Sequence, residues 1–90
     1  MRRASKIDAN QAEIVAALRK VGCSVQSLAS QGKGCPDLLV GLAGRNFLFE
    51  VKGPKGELRP DQVDWRDSWR GQVATIRSFE DALKILDSKK

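Results

Sequence analysis

Apolar residues recur at intervals of three or four near the start of the chain and again near its end. Such spacing is typical of a helix with one buried face. The first run predicts a helix over residues 9–21, capped by Asp8 and ended by Gly22. The second follows Ser78, a favourable N-cap residue, and predicts a C-terminal helix. A further helix is expected over about residues 60–70, because its first residue is a proline.

Between these helices lie short apolar or alternating runs, which are typical of β-strands. Residues 37–42 form an apolar run of the kind found in buried strands, and residues 46–52 alternate between two faces. Residues 23–29 give a weaker strand signal, and residues 73–77 are predicted to form a fourth strand. The element order αβββαβα predicts an α/β fold in which helices flank a mixed sheet.

The turn between the second and third strands decides which polar side chains meet. If the loop is Ala43–Gly44, Asp37 lies opposite Glu50. If the loop is one residue later, Asp37 lies opposite Lys52. Both registers place the three side chains on one face of the sheet, because Glu50 and Lys52 are two residues apart. Opposed strand residues have Cβ atoms about 5 Å apart, so a cluster is expected.

A cluster of Asp, Glu and Lys contains the groups needed for metal-assisted hydrolysis of a phosphodiester. Two adjacent carboxylates repel each other unless a cation joins them, and with the Val51 carbonyl they suit Mg²⁺ or Mn²⁺. A lysine beside the cation can orient or deprotonate the attacking water. The alternative is an ordinary solvated strand face, but the preceding apolar residues 47–49 favour the functional interpretation.

The composition excludes several other kinds of chemistry. The chain has 90 residues, a formal net charge of +5, no histidine and no tyrosine. Ser–His and Cys–His nucleophilic systems and His-ligated zinc sites are therefore excluded. The two cysteines are too few for a disulfide framework and are expected to be reduced thiols. The length predicts one domain over residues 1–90, with a basic arm at about residues 1–7.

The positive charge is concentrated in the first third of the chain. Residues 1–36 hold six Lys or Arg against two acidic residues, which indicates a polyanionic partner such as DNA. No apolar run approaches the length of a membrane span, and the first residues lack the apolar stretch of a secretory signal. We therefore expect an intracellular, cytoplasmic protein with no membrane partner.

Three short motifs resemble those of a known nuclease family. They are Gly34-Cys35-Pro36-Asp37-Leu38-Leu39, then Phe49-Glu50-Val51-Lys52, then Leu58-Arg59-Pro60-Asp61-Gln62 with Trp65. Together they resemble the virus-type replication–repair nuclease (VRR-NUC) domain of the PD-(D/E)XK superfamily, over a span from Glu13 to Leu86. The resemblance implies a restriction-endonuclease-like αβββαβ core followed by a C-terminal helix. It also implies Mg²⁺- or Mn²⁺-dependent cleavage of DNA, without an organic cofactor.

The resemblance also implies roles for individual residues. The expected metal ligands are Asp37, Glu50, the Val51 carbonyl and Glu13, an acid of the first helix. The expected catalytic groups are Lys52, Asp37, Glu50 and Gln62. Arg59 departs from the family, which often has a Ser or Thr helix cap at this position. We therefore expect either a looser helix start or an Arg59 that contacts the DNA backbone.

DNA contacts are expected from basic residues of the arm, the loops and the second helix. The candidates are Arg2, Arg3, Lys6, Lys33, Lys55, Arg59 and Arg66. Trp65 and Trp69 are expected in the core or at a subunit interface rather than as base-stacking platforms.

A domain this small has little surface with which to read a long DNA sequence. By analogy with small Holliday-junction resolvases, we expect a homodimer that cuts two strands of branched DNA symmetrically. Two alternatives stay open. One is a DNA-binding module that does not cleave, and the other is a nuclease subunit active only within a larger replication or recombination complex.

Overall fold

Three helices flank a four-stranded sheet in the computed structural model, which describes residues 9–88. The helices are α1 (Gln11–Lys20), α2 (Pro60–Ser68) and α3 (Phe79–Leu86). The strands are β1 (Ser24–Ser27), β2 (Leu38–Leu42), β3 (Arg45–Val51) and β4 (Ala74–Ile76), and a short 3₁₀ turn, Ala29–Gln31, follows β1. The predicted element order and the α/β fold class are confirmed.

The helix ends differ from the sequence prediction by about one or two residues. The N-cap of α1 is Asn10, and the predicted cap Asp8 lies outside the described residues. Helix α2 ends at Ser68, because the backbone of Trp69 is already extended. None of the helices within residues 9–88 is long and apolar enough to cross a membrane.

The sheet is mixed, with strand order β1-β2-β3-β4. Strand β2 runs antiparallel to both β1 and β3, and β4 runs parallel to β3. Ala43 and Gly44 have φ values of 54° and 78°, both left-handed, and form the two-residue hairpin loop. Leu42 therefore pairs with Arg45, which confirms the first of the two registers. Continued by one residue beyond β2, this register brings Asp37 level with Glu50.

One face of the sheet carries the hydrophobic core, together with α1 and α3. The buried apolar residues are Ile14, Leu18, Cys23, Leu38, Val40, Phe47, Phe49, Val51, Ile76, Ala82 and Leu86. Phe47, Phe49 and Val51 point to this face, so the alternation of β3 directs Glu50 and Lys52 to the other. The core thus fixes the strand whose opposite face carries the charged residues.

Gly34 lies where the loop before β2 touches the first turn of α2. Its φ of +83° is left-handed, and a Cβ built there would overlap the carbonyl group of Asp61. The overlapped atoms belong to backbone and cannot rotate away as a flexible side chain can. We expect Gly34→Ala to destabilise the protein by about 3 kcal/mol, which lowers the melting temperature by more than about 10 °C.

Gly44→Ala is the matched control for this prediction. Gly44 has a similar φ of +78°, but a Cβ there would have no atom within 4 Å. Its substitution should therefore lower the free energy of unfolding by only about 1 kcal/mol, the cost of an alanine in the left-handed conformation. Calorimetric unfolding measures the stability of both variants. An equal loss of stability in Gly34→Ala and Gly44→Ala would contradict the close contact at Gly34.

Candidate active site

Asp37 and Glu50 lie beside each other where β2 begins and β3 ends. The Val51 N–H donates a hydrogen bond of 2.8 Å to Oδ2 of Asp37. The Asp37 side chain therefore continues the pairing with β3 beyond the end of the strand ladder. Both carboxylates line a polar cleft with a volume of about 20 Å³, together with Val51 and Lys52. This is enough room for one water molecule or one cation.

The Glu50 carboxyl group lies in an environment that opposes its charge. Glu50 is only 5% exposed. Burial, and then the nearby Asp37 carboxylate, raise the pKa of Glu50 from 4.5 to about 8. The cations of Lys52 and Arg59 act in the opposite direction but do not compensate. The two carboxyl groups therefore share a proton or need a further positive charge between them.

Lys52 lies on the same face of the sheet as Glu50. It is 8% exposed, although lysine is rarely buried without a partner. Its Nζ lies 3.9 Å from Oε2 of Glu50, a long ion pair rather than a close hydrogen bond. The ammonium group thus borders the carboxylate pair and the cleft without being fully engaged by Glu50.

Gln62 connects Glu50 to the start of α2. Its Nε2 donates to Oε2 of Glu50 at 2.9 Å, and its Oε1 accepts from the Arg59 N–H at 2.9 Å. The side chain of Gln62 therefore satisfies the N–H of the N-cap residue, Arg59. This half of a capping box does not require a Ser or Thr at position 59. The looser helix start considered above is not observed, and the Arg59 side chain instead pairs with Asp61 at 3.3 Å.

The residues at the cleft fit a hard divalent cation. Within residues 9–88, no three His, Cys, Asp or Glu side chains come together as a metal site. Asp37, Glu50 and the Val51 carbonyl would therefore provide only part of a coordination shell. Mg²⁺ suits such a set, because it commonly uses one or two carboxylates and takes its other ligands from water and phosphate. The repulsion that raises the pKa of Glu50 would be relieved by a cation at this position.

Glu13, an expected metal ligand, is not among the residues that line this cleft. The buried face of α1 is formed by Gln11, Ile14 and Leu18. Glu13 follows Gln11 by two residues, about 200° around the helix, and its side chain is exposed. The acid was adjacent to the apolar stripe in sequence but points away from the sheet.

Four of the expected DNA-binding residues are exposed: Lys33, Lys55, Arg59 and Arg66. Arg59 lines the cleft itself, and Lys33 lies between two glycines that line it. Lys55 lies in the loop that follows Lys52, and Arg66 borders an adjoining cleft that includes Glu50. The other three candidates, Arg2, Arg3 and Lys6, lie outside the described residues.

Trp65 of α2 stacks on Trp69, the residue that follows the helix, with ring centroids 4.6 Å apart. Trp69 is 45% exposed, so it does not lie in the core of this chain, and the expected alternative, a subunit interface, stays a prediction. Trp69 follows the last turn of α2 and borders an open cleft beside β2 and β3, which includes Leu39 and Leu48.

Asn10 and Arg77 were missed by the sequence prediction. The Asn10 side chain donates to the backbone carbonyls of Lys52 and Arg77, and the Arg77 side chain donates to those of Gly53 and Gly56. These partners are distant in sequence, so no local motif identifies them. The predicted helix over residues 9–21 included Asn10, so nothing in the sequence indicated that its side chain joins two strands.

Comparison with known proteins adds to this geometry. No protein-family model matches the chain, and no curated protein sequence matches it. A solved structure described as "VRR_NUC domain" is similar, with a TM-score of 0.69 and 27% sequence identity. The match covers 89% of this chain and 92% of that chain. The fold, the order of the motifs and this similarity agree, and together they support a VRR-NUC domain, a kind of nuclease domain.

Proposed function

We propose that this domain is a divalent-cation-dependent DNA endonuclease whose active site is the cleft between β2 and β3. The observation that carries the proposal is the meeting of Asp37, Glu50 and Lys52 on one sheet face. A buried glutamate and a buried lysine beside a half-buried aspartate are costly for folding, which indicates that the cluster serves a function. Metal-assisted phosphodiester hydrolysis uses this set and needs no histidine.

Each residue of the cleft has a distinct role in this proposal. Bound by Asp37, Glu50 and the Val51 carbonyl, Mg²⁺ or Mn²⁺ would activate water and neutralise charge on the scissile phosphate. The Val51 N–H fixes one Asp37 oxygen, which leaves the other free for a ligand. Gln62 holds one oxygen of Glu50 and so fixes its orientation. Lys52 supplies a positive charge next to the reacting phosphate and can orient the attacking water.

The DNA substrate is proposed to be branched, and the active form a homodimer. Exposed cations around the cleft, among them Lys33, Lys55 and Arg66, are suited to phosphates rather than to base edges. Contacts of this kind favour recognition of DNA shape over DNA sequence. Two copies related by a two-fold axis would place one cleft on each of two strands of a junction.

Cleavage of a labelled four-way junction tests this function, with linear duplex, flap and single-stranded DNA as comparison substrates. Each substrate is incubated with EDTA, Mg²⁺ or Mn²⁺, and the subunit number is measured by sedimentation at the same protein concentration. We expect paired symmetric nicks in the junction, only when the cation is present, by a protein that sediments as a dimer.

Four outcomes would contradict separate parts of the proposal. Cleavage in EDTA would contradict the cation requirement, and equal cleavage of duplex would contradict the preference for branches. Full activity by a monomer would contradict the dimer. Tight junction binding without cleavage under any condition would favour a DNA-binding module.

A further inference from the structure

Lys52 lies at a point where the chain could easily change direction. It is the first residue after β3, and the loop that follows begins and ends with Gly53 and Gly56. Glycine permits many backbone conformations, so the loop would not by itself hold Lys52 in one orientation. The Lys52 N–H donates to the Ile76 carbonyl at 3.0 Å. This bond holds the backbone N–H of Lys52 against β4 but does not hold its carbonyl.

Asn10 holds the carbonyl side of Lys52. Its Nδ2 donates to the Lys52 carbonyl at 3.2 Å and to the Arg77 carbonyl at 3.0 Å. An amide nitrogen has two hydrogens, so both donors of this side chain are used. One residue before α1 thus joins the adjacent ends of the parallel strands β3 and β4.

Arg77 holds the loop itself. Its Nη1 donates to the carbonyls of Gly53 and Gly56, each at 2.6 Å, and the Gly56 N–H closes the turn on the Gly53 carbonyl at 3.1 Å. A Cβ placed on Gly56 would lie 3.6 Å from Cδ of Lys52. The loop therefore packs against the hydrocarbon chain of Lys52, and Arg77 keeps it there.

We propose that Asn10 and Arg77 are positioning residues that set the orientation of Lys52 for the reaction. This inference rests on the proposed nuclease function. Three of the four carbonyls that the two side chains bind belong to Lys52 or to the loop after it. A misplacement of about 1 Å at a reacting group can cost about 10²-fold in rate, so weakening these contacts should lower kcat.

The test compares Asn10→Ala and Arg77→Met with Asn46→Ala, a change at an exposed asparagine earlier on β3. We expect kcat for junction cleavage to fall about 10–100-fold in the first two variants, with KM within about threefold of wild type. We also expect amide hydrogen exchange at Lys52 and Gly53 to become about tenfold faster, while exchange at Phe49 in the core stays unchanged. Asn46→Ala should match wild type in both measurements.

An unchanged exchange rate at Lys52 would overturn the inference, as would a change in KM with kcat preserved. A loss of activity that follows only the fraction of unfolded protein would also overturn it. If the wild-type domain cleaves no DNA, the nuclease function fails instead. In that case the exchange rates still decide whether Asn10 and Arg77 hold Lys52.

Discussion

Replacing Lys52 by alanine should lower the rate of DNA cleavage by about 10²–10⁴-fold, the usual contribution of a positioned acid–base or electrostatic group. Its ammonium is the cation that borders the carboxylate pair, with Nζ 3.9 Å from Oε2 of Glu50. Divalent-cation binding should persist, because alanine removes a positive charge and no ligand. Single-turnover cleavage measures the first effect, and calorimetric titration with Mg²⁺ measures the second.

The control for this prediction is Lys20→Ala, which removes an exposed lysine in the last turn of α1. It should cleave at the wild-type rate and bind the cation with the wild-type affinity. A Lys52→Ala protein that cleaves within about threefold of wild type would show that Lys52 takes no part in the reaction.

Replacing Glu50 by glutamine should stabilise the metal-free protein at pH 8 while it abolishes cleavage. The pKa of Glu50 is raised to about 8 in the folded protein, from an ordinary value of 4.5. The folded state therefore binds the proton more tightly than the unfolded state, and wild-type stability falls as pH rises between these values. Glutamine carries no charge and can still accept the hydrogen bond from Gln62.

Thermal unfolding in EDTA checks this prediction at two pH values. At pH 8 we expect the free energy of unfolding of Glu50→Gln to exceed that of wild type by about 1–3 kcal/mol, the usual cost of an unfavourable buried polar group. Near pH 4.5 the advantage should largely disappear, because Glu50 is then protonated in the folded wild-type protein. Mg²⁺ should stabilise wild type at pH 8 and have little effect on the variant. An advantage that is equal at both pH values would contradict the raised pKa.

The sequence was most informative where alternating polarity and turn chemistry agree. The alternation of residues 46–52 placed Glu50 and Lys52 on the face opposite Phe49, and Gly44 favoured a tight hairpin. Together they restricted the position of Asp37 to one of two registers with the same shared face. The structure then selected the register in which Leu42 pairs with Arg45.

The sequence was less informative where the direction of a side chain depends on tertiary packing. Glu13 borders the apolar stripe of α1, and only the seating of Ile14 and Leu18 in the core shows that it points to solvent. The role of Gln62 as a cap could not be derived from Arg59, because it depends on the bond that also engages Glu50. The contacts of Asn10 and Arg77 join segments that meet only in the folded chain.

Divalent-cation binding most directly tests the central claim, which is that Asp37 and Glu50 form a metal site beside Lys52. Electron paramagnetic resonance measures Mn²⁺ bound by wild type, by Asp37→Asn and by Asp64→Asn, which alters an exposed carboxylate on α2. We predict that wild type binds Mn²⁺ more tightly as pH approaches 8, and that Asp64→Asn behaves identically. Asp37→Asn should bind at least about tenfold more weakly. Equal affinity in wild type and Asp37→Asn would contradict the account.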